Sequence, residues 1–304
     1  MATPEQIIDS INGVFGKQAP DARAVHAKGV VLSGTFKPSE AASSVTNAPH
    51  LQKDGSRITV RFSNFAGLLN IPDTDAGATP RGMATRFHLA DGSETDIVAH
   101  SFNGFPTSTA DGLRDFLIAL AASGPNAPKP TPLEVFLGAN PRAKNFVETQ
   151  DPPPVGYGTL SYFGVNSFKF TNAQGASVFG RYQIRPEAGE HFLSKDEIAK
   201  ADPNYLSAEI RQRLGRGAIR FNLLLQIADA GDPLDDPSIT WPETRRKVQL
   251  GALELTGVVA DSPAAQRDLL FNPAALPPGI EPRDPMIKIR SDAYLVSFRR
   301  RAQS

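Results

Sequence analysis

Two tight turns constrain this chain more than any other feature. In "GMATRFHLADGSETDIVAHSF" the dipeptide Asp91-Gly92 separates two strand-like segments, and Asn172–Gly175 does the same in "YFGVNSFKFTNAQGASVFGRYQIRPEAGE". Such turns reverse an antiparallel pair with the twist its strands need. Further strands are predicted in "VHAKGVVLSGTFKPS", "SRITVRFSNF", "AIRFNLLLQIAD" and "RKVQLGALELTGVV", for a total of about eight. Helices are predicted in "TPEQIIDSINGVFG", with Thr3 as its N-cap and Glu5 nearby, and in "TADGLRDFLIALAASG", "TPLEVFLGANPRAKNFVET" and "SAEIRQRLGRG". The segment "RSDAYLVSFRRR" is predicted as a final helix. No strand–helix–strand alternation appears, which argues against a parallel sheet and for an α+β chain: an antiparallel barrel or sandwich with inserted and C-terminal helices.

Charge and composition exclude whole classes of function. Lys+Arg and Asp+Glu are 32 each, so no net field draws in nucleic acid. The chain has no cysteine, which removes disulfides, thiolate metal sites and iron–sulfur clusters. None of the 5 histidines is paired at short ligand spacing, and no HExxH, GxSxG, phosphate loop or dinucleotide fingerprint occurs. No apolar run approaches the ~18 residues of a membrane span. The first residues carry no basic segment followed by a long apolar run, so no signal peptide is expected and a cytoplasmic protein is.

The final segment raises the sharpest question. Arg290, Tyr294 and Arg301 stand at i, i+4 and i+11, which at ~100° per residue is one helical stripe. One reading is a solvated basic end. The other is an anion-lined site around a phenol, with Arg290 one turn away as the cation that an oxygen titrating near ~10 needs in order to ionise. Arg301, about 10 Å further along the helix, suits a carboxylate. Arg299 and Arg300 fall off the stripe and read as solvated. His26, in "RAVHAKG", reads as a strand histidine, either structural or an acid/base kept neutral by nearby cations. Arg61 alternates with Val60 and Phe62. That pattern favours exposure, unless the strand lines a barrel and turns Arg61, with Ser63 on the same face, toward a buried anion.

Taken together, these pieces resemble the haem catalase superfamily from Ala22 to Arg301. The segments "RAVHAKGVVLSGTF", "VRFSNFAG", "TPRGMATRFHLADGSETDIV", "NSFKFTNAQGASVFGRYQI", "DPLDDPSITWPE", "FNPAALPPGIEPRDPM" and "RSDAYLVSFRRR" follow that family in order. The resemblance implies an eight-stranded catalase-like antiparallel β-barrel in one domain over 1–304. Residues 1–20 form a helix and linker, 22–260 the barrel with inserted helices, 261–288 a Pro-rich connection and 289–304 the proximal helix. It implies haem b, with Tyr294 as axial iron ligand, Arg290 as its charge partner, and Arg23, Arg61 and Arg301 on the propionates. His26 would be the distal histidine and Ser63 the residue that orients it. The distal asparagine of the family falls on His100, or on Asn103 three residues later. Phe105 matches an aromatic over the haem, a second such position falls on Leu113, and the channel aspartate of the family is replaced by Thr79.

The long amino-terminal arm, wrapping segment and carboxy-terminal domain of full-size catalases have no counterpart, so the resemblance is to the compact catalase-related peroxidase branch. A haem peroxidase is implied, acting on hydrogen peroxide or organic hydroperoxides with a small organic reductant and weak catalase activity, and assembled as a homodimer. The alternatives are a fatty-acid hydroperoxide isomerase or dehydratase, and a non-enzymatic haem- or lipid-binding barrel.

Overall fold

A computed structural model describes residues 1–16, 22–260 and 262–302. The linker expected at 17–20 and the last residues of the final helix, 303–304, lie outside the described residues. The chain opens with helix α1 (Pro4–Phe15), then strands β1 (Gly29–Pro38), β2 (Ser56–Ser63), β3 (Gly82–His88) and β4 (Glu94–His100). Helices α2 (Ala110–Ala121), α3 (Pro132–Ala139) and α4 (Pro141–Glu148) precede β5 (Tyr162–Thr171) and β6 (Ser177–Pro186). Helices α5 (Lys195–Lys200) and α6 (Tyr205–Arg216) lead to β7 (Ile219–Ile227) and β8 (Lys247–Val258). Helix α7 (Ser262–Asp268), the short strand β9 (Ile280–Pro282) and helix α8 (Met286–Ala302) complete the chain.

The strands run in the order β4-β3-β2-β1-β8-β7-β6-β5, every neighbour antiparallel, and β4 meets β5 to close an eight-stranded barrel. The closing seam is the pair His100–Phe163. The ninth strand, β9, pairs with the far end of β5 outside the closed ring. It lies in the stretch expected to be a Pro-rich connection, where a three-residue strand leaves no periodic signal. Both tight turns stand where expected, with Gly92 and Gly175 at φ 84° and 79°.

Alternation along the strands fills the barrel. Leu32, Ile58, Val60, Phe62, Phe87, Phe221, Leu223 and Leu253 are all buried in one interior cluster. Each such side chain contributes roughly 1.5–3 kcal/mol on leaving water. A second apolar cluster lies outside the barrel, where Ile7, Ile8 and Ile11 of α1 meet Phe116 and Leu117 of α2 and Ala293 of α8. Helix α1 is started by a capping box, Thr3 Oγ1 accepting from Gln6 N–H at 3.2 Å and Gln6 Oε1 accepting from Thr3 N–H at 2.9 Å. Gln6 therefore closes the box, and Glu5 does not. The segment read as one helix over 131–149 is two, because Pro141 lacks the N–H that would carry a helix through Asn140.

The packing overturns two expectations about local placement. His26 is not in a strand. It precedes β1 with φ 58°, an uncommon conformation for a residue other than glycine, and its N–H donates to Phe65 O at 2.7 Å. Arg61 is not exposed, and it does not point into the barrel either. Val60 and Phe62 face the interior, so Arg61 lies on the outer face, which is buried in turn beneath the later part of the chain.

Candidate haem site

A cavity lies on the outer face of β2, β3 and β4, roofed by α1, α2 and α8. Most of its wall is apolar, supplied by Ile7, Ile11, Phe65, Leu113, Phe116 and Phe271 among others. Against that wall stand Arg23, His26, Arg61, Ser63, His100, Phe105, Arg290, Tyr294 and Arg301. Nine of the ten residues singled out as site candidates thus meet in one space. The tenth, Asn103, does not line it. Its amide donates to Glu243 Oε1 at 3.3 Å and its carbonyl accepts from Thr240, both outside the cavity. His100 is the one of that pair facing in. Thr79 does not line the cavity either, although Pro80 does.

Three arginines form one electrostatic unit. Arg61 donates from Nε to Gln266 Oε1 at 2.8 Å and from Nη2 to Ala27 O at 3.0 Å. Arg23 Nη2 donates to Gln266 O at 2.9 Å and Leu269 O at 2.6 Å, and Arg301 Nη2 to Leu269 O at 2.7 Å. None of the three forms an ion pair with a carboxylate among the described residues. Burial, then repulsion from Arg61 and Arg301, pushes Arg23 well below the usual arginine range. Burial likewise lowers Arg61 and Arg301 to about 10. Buried cations normally have anionic partners. Three that repel one another and keep only neutral acceptors could hold carboxylates.

A second set surrounds the phenol. Arg290, buried one turn before Tyr294, donates from Nη2 to its oxygen at 3.1 Å and from Nη1 to Asn166 Oδ1. Asn166 Nδ2 donates to Asp284 Oδ2 at 2.7 Å, and Asp284 Oδ1 accepts from Met286 N–H at 2.8 Å at the start of α8. The register of β5 shifts between Gly164 and Phe168, and this irregularity is where Asn166 sits. The Arg290 guanidinium also lies 5.5 Å from the centre of the Phe105 ring.

The third set is the imidazoles. His26 Nδ1 is 3.1 Å from Ser63 Oγ, and the Phe65 ring stands edge-on to the imidazole at 5.5 Å. Burial, then the charge of Arg61, lowers His26 to about 3, so it is neutral near pH 7. Burial, then Arg290, does the same to His100. Gly82 makes room for the first pair: a Cβ there would stand 2.6 Å from Ser63 Oγ and 2.8 Å from His26 Nδ1.

Sequence reasoning did not find Phe65, Gln266, Asn166 or Asp284. Only Asp284 had a readable signal, a capping aspartate just before the last helix. Of the remaining C-terminal arginines, Arg299 and Arg300 are exposed, and Arg300 pairs with Asp9 of α1 at 2.6 Å.

These residues fit a haem on their own chemistry. There are three buried arginines without carboxylate partners among the described residues, a phenol oxygen backed by a cation on α8, two neutral imidazoles, and an apolar wall. The family model described as "Catalase" matches residues 5–303. A "Catalase-related peroxidase" of Mycolicibacterium paratuberculosis is 36% identical over 305 residues, covering 98% of this chain and 95% of that one. A second, from Synechococcus elongatus, is 28% identical over 306 residues, covering 99% and 89%. Among solved structures, a fungal catalase superposes with TM-score 0.83 at 20% identity and a bacterial catalase with 0.81 at 22%. The match spans 63% and 59% of those two chains, a likeness of fold. With the family model running almost from end to end, this chain belongs to the catalase family.

Proposed function

We propose that the protein is a haem b peroxidase that reduces hydrogen peroxide or organic hydroperoxides at the expense of a small organic donor, with weak catalase activity. The two relatives named as catalase-related peroxidases, each covered over most of its length, support the activity. The observation that carries the site assignment is that the Arg290–Tyr294 pair, the His26–Ser63 pair and three arginines without carboxylate partners line one cavity. The cavity draws on α1, the barrel, α2 and α8, so the chain from 1 to 304 is proposed to work as one haem-binding unit.

In this reading Arg23, Arg61 and Arg301 would hold the propionates and Tyr294 would be the iron ligand, with Arg290 setting a positive charge at its oxygen. Phe105 and Leu113, which line the cavity, would give the ring system apolar contact. When bound, the haem would pass two electrons from the organic donor to the O–O bond. His26 accepts the peroxide proton at Nε2, because Ser63 engages Nδ1. Burial disfavours the charged ring, so once protonated it gives that proton on to the departing oxygen. Ser63 fixes the ring for both transfers, and the apolar wall keeps bulk water from competing for the proton.

The test is the absorption spectrum of the protein reconstituted with haem. A ferric spectrum of phenolate ligation is expected in the wild type, and its loss in Tyr294→Phe. Failure of the wild type to bind haem would overturn the reading.

A further inference from the structure

Several contacts tie His26 to the stretch 63–65. Ser63 Oγ lies 3.1 Å from its Nδ1, Phe65 O accepts from its backbone N–H at 2.7 Å, and the Phe65 ring stands edge-on to the imidazole. Burial and then the charge of Arg61 lower the imidazole, and a hydrogen bond with the Asn64 backbone opposes them. The backbones of 26–28 and 64–66 run side by side, Ala27 N–H donating to Ala66 O at 3.1 Å and Asn64 N–H to Lys28 O at 2.9 Å. Yet a φ of 58° is unfavourable for a residue with a Cβ, and it persists only where the surroundings hold it.

Both segments are clamped by one carboxylate. Asp73, 1% exposed, accepts at Oδ1 from Lys28 Nζ and from Asn64 Nδ2, each at 2.7 Å. Its Oδ2 accepts from Leu206 N–H at 2.9 Å. Its backbone carbonyl accepts from Arg81 Nη2, and Arg81 precedes the Gly82 against which His26 and Ser63 pack. Tyr157 completes the arrangement by donating to Asn64 Oδ1 at 3.0 Å. Lys28, Asn64, Asp73 and Arg81 do not line the cavity, so any effect they have on a ligand passes through the residues that do. A buried ion pair is weak evidence for stability, because an apolar pair could fill the space without desolvating two charges. What an apolar pair could not do is hold two segments by hydrogen bonds of fixed direction.

We propose that Asp73 is the positioning residue of the His26–Ser63 pair: one carboxylate oxygen holds the two segments that carry the imidazole and the hydroxyl, and keeps His26 in its positive-φ conformation. The kinetic consequence rests on the peroxidase reading; the clamp itself does not. Three N–H donors converge on the two oxygens, so an amide of the same shape turns a donor toward at least one of them. Asp73→Asn therefore opens the clamp with hardly any change in volume.

Hydrogen exchange of the apoprotein reads the clamp directly. In Asp73→Asn the backbone N–H of His26 should speed up at least about tenfold more than the amides of β6, across the barrel. Equal acceleration at both places would mean that Asp73 serves overall stability alone, and it overturns the proposal. In the haem-loaded protein, peroxidase kcat/KM should fall about a hundredfold in Asp73→Asn with the haem spectrum kept. In a Ser63→Ala background, where the pair is already broken, the same substitution should cost less than about threefold. Equal losses in the two backgrounds overturn the proposal. Should Asp73→Asn fail to fold, Lys28→Met releases one arm, leaves the carboxylate its other two N–H donors, and is decided by the same exchange comparison. A wild type that takes up no haem defeats the peroxidase reading and leaves hydrogen exchange to decide the clamp. A His26 amide that moves no more than those of β6 defeats the clamp alone.

Discussion

The strands of this barrel bury two faces, and the two are buried on different terms. The interior, with Leu32, Phe62, Phe87, Leu223 and Leu253, packs apolar groups that complete one another. The outer face of β2–β4 is covered by helices, yet with its neighbouring segments it brings together Arg61, Arg23, Arg301, His26 and His100, with no carboxylate paired to the arginines among the described residues. Burial alone therefore does not mark a core. An interior is satisfied by its own atoms, while a binding site keeps buried charge and buried donors that only a ligand satisfies.

Lowering the pH tests both faces and has the largest expected effect. His50 sits in the interior against Phe87, with no partner for Nδ1 among the described residues, and burial holds it at about 3. The unfolded chain restores the ordinary value near ~6.5. Unfolding below that value takes up a proton, so this share of stability is whole above about 6.5 and is lost as pH falls toward 3, by up to ~5 kcal/mol. His26 and His100 act in the same window and with the same sign. Urea unfolding between pH 7 and 4 should show the decline, and His50→Leu should flatten it by about one proton. Haem loading should leave the His50 share untouched, since that residue is on the interior side.

Phe62→Ala comes next. Phe62 is fully buried and stacks on Tyr157 with ring centres 5.2 Å apart, so the substitution should cost about 3–5 kcal/mol by urea titration. At concentrations where the variant stays folded, its haem spectrum should match the wild type. A changed spectrum would mean that the two faces are not independent.

The interior was legible because its rule is local. Alternation in "SRITVRFSNF" and the Asp91-Gly92 turn state which residues share a face and where the chain reverses. The helical stripe of Arg290, Tyr294 and Arg301 was legible for the same reason, since helical spacing is local. What alternation cannot state is what covers the other face, so Arg61 read as exposed until α8 and the stretch before it are laid over the barrel. The backbone turn at His26 depends on its pairing with Phe65, a partner far along the chain. The choice between His100 and Asn103 turned on where β4 ends, a boundary that propensity marks only to within a few residues. Asn166 came into the site through a register shift, which has no local signature.

Gly82→Ala attacks the outer face alone. The added methyl must displace Ser63 or His26, at a cost of about 1–3 kcal/mol in stability. The larger consequence should be chemical: with His26 moved off Ser63, peroxidase kcat/KM should fall about a hundredfold while haem is retained. A folded, haem-loaded variant of normal activity would show that the His26–Ser63 contact is dispensable.

Arg301→Leu should change the stability of the apoprotein least and separates the two faces most cleanly. In the interior, replacing a large buried side chain always costs packing. Here the variant loses hydrogen bonds to Arg267 O and Leu269 O, but it also removes a desolvated cation that repels Arg23. The opposing effects are similar in size, so apoprotein stability should stay within about 1 kcal/mol of wild type. Added inorganic phosphate should raise the melting temperature of the wild-type apoprotein by mass action on the arginine cluster, and raise that of Arg301→Leu less. An equal rise in both would mean that Arg301 does not belong to the anion receptor. A large loss of stability without phosphate would mean that this arginine serves the fold, as Phe62 does.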